Sequence, residues 1–289
     1  MIRFVKRNQI DEEKYNNCIS KSLQSRVYAY SWYLDVVADN WGVLVQNDYD
    51  AVMPLPFQKK FLILYITQPF FTQQLGVFSK QEISEELLRL FLKNIPRKFL
   101  KIALQFNSQN KFTSHKITQK NNYILSLNSE YKTLYKNFSK GRKHAIQQGL
   151  KHEYDIEEIQ FSELLKLSEQ HYSFEEIPDK EFDKLIKLVE VLQSKNNVKI
   201  IGVKRNQILI GGSVFIIDIH RIIYLFSAVS KTGKEKQVAS LLLNNIIETH
   251  ANTNKNLDFE GSMTPSIASF FKSFGASLEA YILFKKWLL

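Results

Sequence analysis

A run of basic side chains in the middle of the chain is the first feature that can do chemistry. Residues 128–151 contain six basic residues and one acidic residue, and no carboxylate lies between Lys132 and Lys151. A surface helix ordinarily mixes the two signs, so that opposite charges pair three or four residues apart. An excess of one sign favours an anionic partner: a phosphate, a pyrophosphate, tRNA or an anionic membrane surface. The alternative is a solvated face that packs against the acidic stretch 152–193, which has four basic and twelve acidic residues.

Three cations of this run, Lys140, Arg142 and Lys143, are the best candidates for contacts with phosphate oxygens. Arginine presents a planar fork to two oxygens, whereas lysine acts as a point charge. We expect these side chains to bind the anionic part of a substrate.

Two carboxylates near the end of the chain, Asp258 and Glu260, are candidates for acid–base chemistry. Side chains alternate along a strand, so both are expected on the same face of a strand over 256–260. Partial burial raises the pKa of a carboxyl group and lets it accept the proton of an attacking amine, and Glu260 is the first choice. Alternatively, the two residues cap the following helix or pair with Lys272.

A predicted loop, residues 231–237, leads into a predicted helix over 238–251. The free N–H groups and the dipole at a helix N-terminus favour an anion there. The residues expected to hold the donor substrate at this point are Lys231, Gly233, Lys234, Gln237 and Ala239.

Two further residues are expected to contact the acceptor. Gln73 is one of three glutamines in the apolar segment 68–76, and such amides must be hydrogen-bonded if they are buried. They either line an acceptor cleft or act as buried ladder partners. Tyr224 is predicted to share one face of a strand with Phe226 and Ala228, where aromatic residues are more usually part of a core.

The elements that must position these residues follow from hydrophobic periodicity. In the first half the pattern predicts helices over 12–21, 30–38 and 80–95, and strands over 2–5, 41–46, 50–57, 61–78, 99–106 and 122–127. In the second half it predicts helices over 129–150, 161–172, 180–194, 238–251 and 264–274. The strands there are 198–204, 208–218 and 221–230, expected to form an antiparallel meander, followed by 256–260 and 278–284.

Composition narrows the class of protein. The chain has 289 residues and a formal net charge of +10. Its 44% of hydrophobic and 13% of aromatic residues, with only 10 Gly and 6 Pro, exclude disordered and low-complexity classes. The single cysteine, Cys18, excludes an internal disulfide and points to a reducing compartment. The longest clean apolar run, 208–217, is about half of a membrane span, so a soluble cytoplasmic protein is expected. Neither a nucleotide-binding glycine motif nor a metal-ligand spacing is present, so no metal site is predicted.

At the level of motifs, the chain resembles the FemAB-like double-GNAT acyltransferases of the GNAT N-acyltransferase superfamily. The basic helix Phe138-Ser139-Lys140-Gly141-Arg142 and the segment Leu257-Asp258-Phe259-Glu260-Gly261-Ser262 are similar to theirs. The superfamily's pyrophosphate loop, Gln/Arg-x-x-Gly-x-Gly/Ala, falls here on Lys234, Gln237 and Ala239. Ala239 fits that pattern, whereas Gln237 replaces the middle glycine.

The resemblance implies an α+β protein of two tandem GNAT-like domains, residues 1–127 and 128–289, each a mixed, largely antiparallel sheet flanked by helices. It implies transfer of an acyl or aminoacyl group to an amine, in cell-envelope biosynthesis. The donor would be acyl-CoA or aminoacyl-tRNA, with no tightly bound cofactor, and the acceptor would be anionic or membrane-linked. The alternative is a non-catalytic binding module that keeps the fold but has lost the coenzyme A loop.

Overall fold

The computed structural model describes residues 1–152, 154–171, 178–261 and 263–287. The chain divides into two compact units, Met1–Lys120 with Ala280–Leu289, and Asn121–Glu279. The last strand thus belongs largely to the first unit by its contacts, because Ile282–Trp287 pair with Lys101–Phe106. The division into two GNAT-like domains at residue 127 stays a prediction.

The first unit contains a mixed sheet in which neighbouring strands are antiparallel except for one pair. Its strand order is β1-β2-β3-β4-β6-β13, with β5 beside β3, and β4 and β6 are the parallel pair. The strands are β1 (Ile2–Lys6), β2 (Asn40–Gln46), β3 (Ala51–Lys60), β4 (Ile63–Thr67), β5 (Phe78–Ser79), β6 (Phe99–Phe106) and β13 (Ser277–Trp287).

Three helices accompany this sheet, α1 (Glu12–Lys21), α2 (Ser31–Val37) and α3 (Glu85–Lys93). Helix α1 has the predicted bounds, because Asp11 caps it by accepting from the Lys14 N–H at 3.1 Å. Helix α3 is shorter than the predicted 80–95, since its cap is Ser84, which accepts from the Leu87 N–H. The predicted strand 61–78 is also wrong as one element, because β4 ends at Thr67.

The second unit has the same kind of sheet, in the order β7-β12-β11-β10-β9-β8. Its strands are β7 (Ile117–Ser126), β8 (Asp155–Glu158), β9 (Val198–Arg205), β10 (Ile208–Ile217), β11 (Arg221–Val229) and β12 (Asn256–Asp258). The predicted antiparallel meander β9-β10-β11 is confirmed. Among the described strands of this unit, β11 and β12 are the one parallel pair. Strand β8 was not predicted, because its sequence, Asp-Ile-Glu-Glu, has one apolar residue.

The helices of the second unit are α4 (Tyr131–Lys136), α5 (Lys140–Leu150), α6 (Phe161–His171), α7 (Asp179–Ser194), α8 (Lys231–Glu235), α9 (Val238–Thr249) and α10 (Pro265–Lys272). Helix α9 is apolar around most of its surface and packs against β10 and α5. Gly149 of α5 permits this approach, because a Cβ there would lie 2.9 Å from a methyl carbon of Leu241. Of the predicted helix 161–172, residues 161–171 are confirmed as α6, and residue 172 lies outside the described residues.

The predicted helix over 129–150 is in fact two helices, α4 and α5. The break has a local cause: Ser139 caps α5, its Oγ accepting from the Arg142 N–H at 3.1 Å. The Ser139 N–H, in turn, donates to the Ser273 carbonyl at 2.8 Å. The new helix start fixes the direction in which Arg142 leaves the backbone.

The cap gives a first prediction. Replacing Ser139 by Ala removes the side-chain acceptor of α5, and the free energy of unfolding should fall by about 1 kcal/mol. Ser139→Asn retains an acceptor and should stay within a few tenths of the parent. Urea unfolding followed by circular dichroism measures both, and equal losses in the two variants would show that the cap does not stabilise α5.

Candidate functional site

The sheet of the second unit opens where β11 and β12 part. Their parallel pairing covers only three positions, Arg221–Ile223 with Asn256–Asp258. In the described part of the chain, Phe226–Val229 of β11 have a strand partner only on the β10 side. Main-chain donors and acceptors that lack a strand partner can bind a ligand.

A β-bulge lies in the same stretch of β11. Val214 pairs with Phe226 and Phe215 with Tyr224, so Leu225 is an extra residue in β11. Bulges re-aim side chains and are frequent beside active sites. The strict alternation used to place Tyr224 and Phe226 on one face is therefore interrupted. Tyr224 is half-buried, with its ring stacked on Phe215 at 5.4 Å between centroids.

The segment before α9 is not the predicted loop. Residues 231–235 form the short helix α8, capped by Ser230, whose Oγ accepts from the Gly233 N–H at 3.0 Å. Gly233 is buried, and a Cβ there would lie 2.2 Å from the Ile210 carbonyl oxygen. This packing accounts for the glycine. Lys231 and Lys234 are exposed on α8.

Gln237 joins α8 to α9 in the left-handed conformation, with φ 62°. This is the position where the pyrophosphate-loop pattern has its middle glycine, and glycine favours that region. The backbone conformation is thus of the glycine type although the side chain is glutamine. Ala239, in the first turn of α9, is half-buried.

Arg142 lies against the first turn of α9. Its Nη1 donates to Ser240 Oγ, and its Nε donates to Ser273 Oγ at 2.9 Å. The guanidinium lies 4.3 Å from the ring centroid of Phe270 and 4.6 Å from that of Phe274. Among the described residues, no carboxylate forms an ion pair with it.

Burial lowers the pKa of Arg142 to about 10, so the side chain remains charged at neutral pH. A half-buried cation held by hydroxyl groups and aromatic faces keeps a positive potential at the helix N-terminus, where α9 adds its own dipole. The arrangement therefore suits an anion.

The other two cations of the basic helix are oriented differently. Lys143 donates to the Lys136 carbonyl at 2.8 Å, and Lys140 is exposed. Of the acidic stretch, Glu157 and Glu163 pair with Lys204 at 2.8 and 3.1 Å. These contacts connect part of the acidic stretch with β9 rather than with the basic helix.

Asp258 is fully buried in an ionic cluster. Its Oδ2 lies 2.7 Å from Arg221 Nη1, and its Oδ1 accepts from Asn122 Nδ2 at 3.0 Å. Glu279 lies 2.6 Å from Nη2 of the same arginine. Burial opposes the charge of Arg221, but Asp258 and Glu279 outweigh it and raise the pKa of that guanidinium. Lys272, offered above as a partner, instead lies 5.4 Å from the Tyr123 ring.

Glu260 follows the end of β12, so the alternation argument does not extend to it. Its φ is 55°, and its N–H donates to Asp258 Oδ1 at 3.0 Å. Gly261 is also left-handed, and a Cβ there would lie 2.2 Å from the Asn121 carbonyl oxygen. Left-handed backbone at a non-glycine residue is a strained conformation that clusters at functional sites. Ser262 lies outside the described residues.

In the first unit, Gln73 is buried and accepts from Gln74 Nε2 at 2.8 Å. Gln74 also accepts from the Ser108 N–H at 3.0 Å. The amides are hydrogen-bonded, as burial requires. Contact between Gln73 and an acceptor stays a prediction.

Sequence reasoning missed the residues that complete these contacts: Asn122, Arg221, Ser240, Ser273 and Glu279. Their partners lie far along the chain, since Arg142 is 98 residues from Ser240 and 131 from Ser273. A single arginine at the start of a buried strand, Arg221, is the one local signal, because a buried arginine needs carboxylate partners.

The buried cluster gives a second prediction. Arg221→Met leaves two carboxylates without their cation, and the free energy of unfolding should fall by about 3–5 kcal/mol. The matched control is Arg7→Met, which removes an arginine from between Glu12 and Asp35, at 2.7 and 2.6 Å, in a partly exposed setting. That change should lower the free energy of unfolding by about 1 kcal/mol or less.

Urea unfolding of the two variants at neutral pH is the measurement. A loss at Arg221 no larger than the loss at Arg7 would show that the buried cluster does not hold β11 and β12 together.

No family model matches the chain, and no curated protein matches it. Solved structures do. They include FemX, with a TM-score of 0.66 and 12% identity over 94% of this chain and 96% of that one. L-PGS from Bacillus licheniformis has a TM-score of 0.59 and 12% identity, covering 95% of this chain and 91% of that one.

A tandem GNAT protein from the clavulanic acid biosynthesis pathway covers 100% of this chain and 99% of its own, with a TM-score of 0.56 and 9% identity. Similarity at such identities shows the fold. The chain has a FemAB-like, α+β fold of two GNAT-like domains with mixed, largely antiparallel sheets, as the sequence predicts. In the described residues no helix is both long enough and apolar enough to cross a bilayer.

Proposed function

We propose that this chain is an acyltransferase of the FemAB/GNAT type that transfers an acyl or aminoacyl group to an amine. The observation that carries the proposal is the half-buried Arg142 at the first turn of α9, with no carboxylate partner among the described residues. The fold shared with FemX, L-PGS and a tandem GNAT protein supports it.

The donor, either acyl-CoA or aminoacyl-tRNA, carries phosphates in both cases. We assign their binding to the start of α9, where Arg142 and the first-turn N–H groups around Ala239 favour an anion. Lys231 and Lys234 on α8 add positive charge nearby in sequence, and Gly233 and Gln237 shape the turn. Lys140 and Lys143 extend the basic surface along α5.

The proposed reaction is direct attack within a complex of donor and acceptor. The amine nitrogen forms a bond to the acyl carbon, and the carbonyl oxygen becomes an oxyanion. Main-chain N–H groups of β11 in the stretch Leu225–Val229 are suited to stabilise that oxyanion. The bond to the leaving sulfur of coenzyme A, or to the ribose oxygen of tRNA, then breaks, and the amine loses its proton to the enzyme.

Glu260 is the proposed acceptor of that proton. It is half-buried, directly after β12, on a left-handed backbone. Asp258 was a second candidate for catalysis, but its salt bridge to Arg221 and its hydrogen bond from the Glu260 N–H suit a positioning residue better.

The proposed acceptor is an amine of a cell-envelope precursor, free or membrane-linked, with the reaction in the cytoplasm. Tyr224, beside the bulge of β11, is a proposed contact with the acceptor, and the contact predicted for Gln73 stays a separate prediction for the first unit. Acylation of an amino sugar or a similar small amine is the competing version of the same chemistry.

A non-catalytic binding module is the second candidate function. Two observations favour it: Asp258 is engaged by Arg221, and a side chain stands at Gln237 where the pyrophosphate loop has glycine. A module of this kind would bind a phosphate-bearing ligand without transferring a group.

The third prediction concerns donor binding. Arg142→Ala should weaken binding of the preferred donor about 10- to 100-fold, because a charge-assisted contact is lost. The affinity of Arg142→Lys should lie between those of the parent and Arg142→Ala. Lys151→Ala removes one charge from the exposed end of the same basic run and serves as the control. Titration with acyl-CoA, aminoacyl-tRNA and a nucleotide-linked peptide precursor measures the affinities.

Unchanged affinity of Arg142→Ala for whichever ligand binds would contradict the assigned anion site. No response to any of the three ligands would contradict the proposed function altogether.

The fourth prediction concerns the base. Glu260→Gln should lower kcat about 100-fold or more while donor affinity stays within about twofold, because the amide cannot accept the proton. Glu248→Gln, at the exposed end of α9, is the control. The assay follows transfer of a labelled acyl or aminoacyl group to amines, and full activity of Glu260→Gln would remove the assignment.

A further inference from the structure

The hairpin turn between β3 and β4 carries two bulky apolar residues where the backbone disfavours them. Phe61 and Leu62 have φ 47° and 66°, and each side chain is 86% exposed. Asn-Gly is the preferred pair for a two-residue turn with positive φ at both positions. Neither the turn conformation nor the packing of the unit therefore explains a Phe-Leu pair.

A second hairpin of the same chain gives a direct comparison. The turn between β9 and β10 has φ 49° at Asn206 and 65° at Gln207, nearly the same backbone conformation, with polar side chains. The same turn conformation therefore occurs elsewhere in this chain with polar, solvent-compatible residues. The apolar tip at Phe61 and Leu62 is a property of one hairpin, and Ile63 beside it is 45% exposed.

The surroundings of the tip are strongly basic. Lys59 and Lys60 are exposed directly before it, and Lys60 Nζ lies 5.7 Å from the Phe61 ring centroid. The ladder brings the start of β6 to this end of the sheet, since Leu64 pairs with Phe99. Arg97 and Lys98 are exposed immediately before that strand.

The end of β13 also lies at this edge, because Trp287 pairs with Lys101. Trp287 is 61% exposed, and Lys101 Nζ lies 4.8 Å from its ring. The sequence contains no carboxylate in residues 57–66, 96–104 or 280–287. One end of the first unit's sheet therefore combines an apolar tip, an exposed tryptophan and several basic side chains. We call it the basic hairpin end (residues 59–63, 97–101 and 285–287).

We propose that the basic hairpin end docks on the surface of an anionic lipid bilayer. Phe61 and Leu62 would enter the boundary between headgroups and acyl chains, while Lys59, Lys60 and Lys98 face the lipid phosphates. A tryptophan at the rim suits the headgroup region, because its ring is apolar and its N–H is polar. An exposed apolar tip beside exposed cations fits an anionic lipid surface better than it fits an apolar protein groove.

The inference does not depend on the proposed transferase activity, because lipid binding is measured without turnover. The test is flotation of the full chain with vesicles of phosphatidylcholine, and with vesicles containing equal parts of phosphatidylcholine and phosphatidylglycerol. We expect binding to the anionic vesicles that weakens as salt is added, and much weaker binding to the neutral ones.

The decisive variant is Phe61→Asn with Leu62→Gly, which installs the preferred turn residues and removes the apolar tip. Its melting temperature should equal or exceed that of the parent, while binding to anionic vesicles should fall about tenfold or more. Lys59→Gln and Lys60→Gln should each weaken binding roughly fivefold. Ile208→Asn, which removes a 68% exposed side chain at the other hairpin, should leave it unchanged.

Parent-like vesicle binding by the Asn-Gly variant would overturn the proposal, and so would equal binding of the parent to neutral and anionic vesicles. Absence of vesicle binding by the parent, with self-association that the Asn-Gly variant abolishes, would also overturn it and assign the tip to a contact between copies of the chain.

Discussion

The second unit depends on how Arg221 is held between Asp258 and Glu279. Its guanidinium lies 2.7 Å from one carboxylate and 2.6 Å from the other, and it joins the start of β11 to the end of β12. A buried ion pair of this kind is costly to break, because the remaining charges lose both water and partner. The ion pair thus holds β11 and β12 together where their pairing ends, and it fixes the point from which the two strands separate.

Beyond that point, the segment that follows β12 and the remainder of β11 run in different directions. On one side, the chain after Asp258 turns through Glu260 and Gly261, both left-handed, with Glu260 held by its N–H to the Asp258 carboxylate. On the other, β11 continues past the bulge at Leu225 to Ser230, the cap of α8. The same buried aspartate therefore supports the strand junction and orients the residue proposed to take the proton.

Arg142 supplies positive charge at the first turn of α9, where the donor's phosphates are proposed to bind. Its position results from a helix start at Ser139, two serine hydroxyls and two phenylalanine faces, none of which neutralises its charge. A cation that is half-buried without a carboxylate is costly for stability and useful for binding, because it keeps its full charge for a ligand. The first unit has its own parallel pair, β4 and β6, and exposed Lys59, Lys60 and Lys98 lie at the end of its sheet that carries Phe61 and Trp287.

The sequence by itself determined the elements whose signals are local. Helix α1 is defined by its cap at Asp11 and strand β6 by continuous β-rich residues, and the meander β9-β10-β11 by short turns; all three were predictable. The resemblance of its motifs to the FemAB-like double-GNAT proteins also implied the fold, whereas an anionic partner of the basic helix stays a prediction. Only the tertiary structure decided the break at Ser139, the helix at 231–235 and the partners of Arg142 and Asp258. The first two depend on serine caps that hydrophobic periodicity does not detect. The partners of Arg142 and Asp258 lie tens to more than a hundred positions away, where periodicity carries no information.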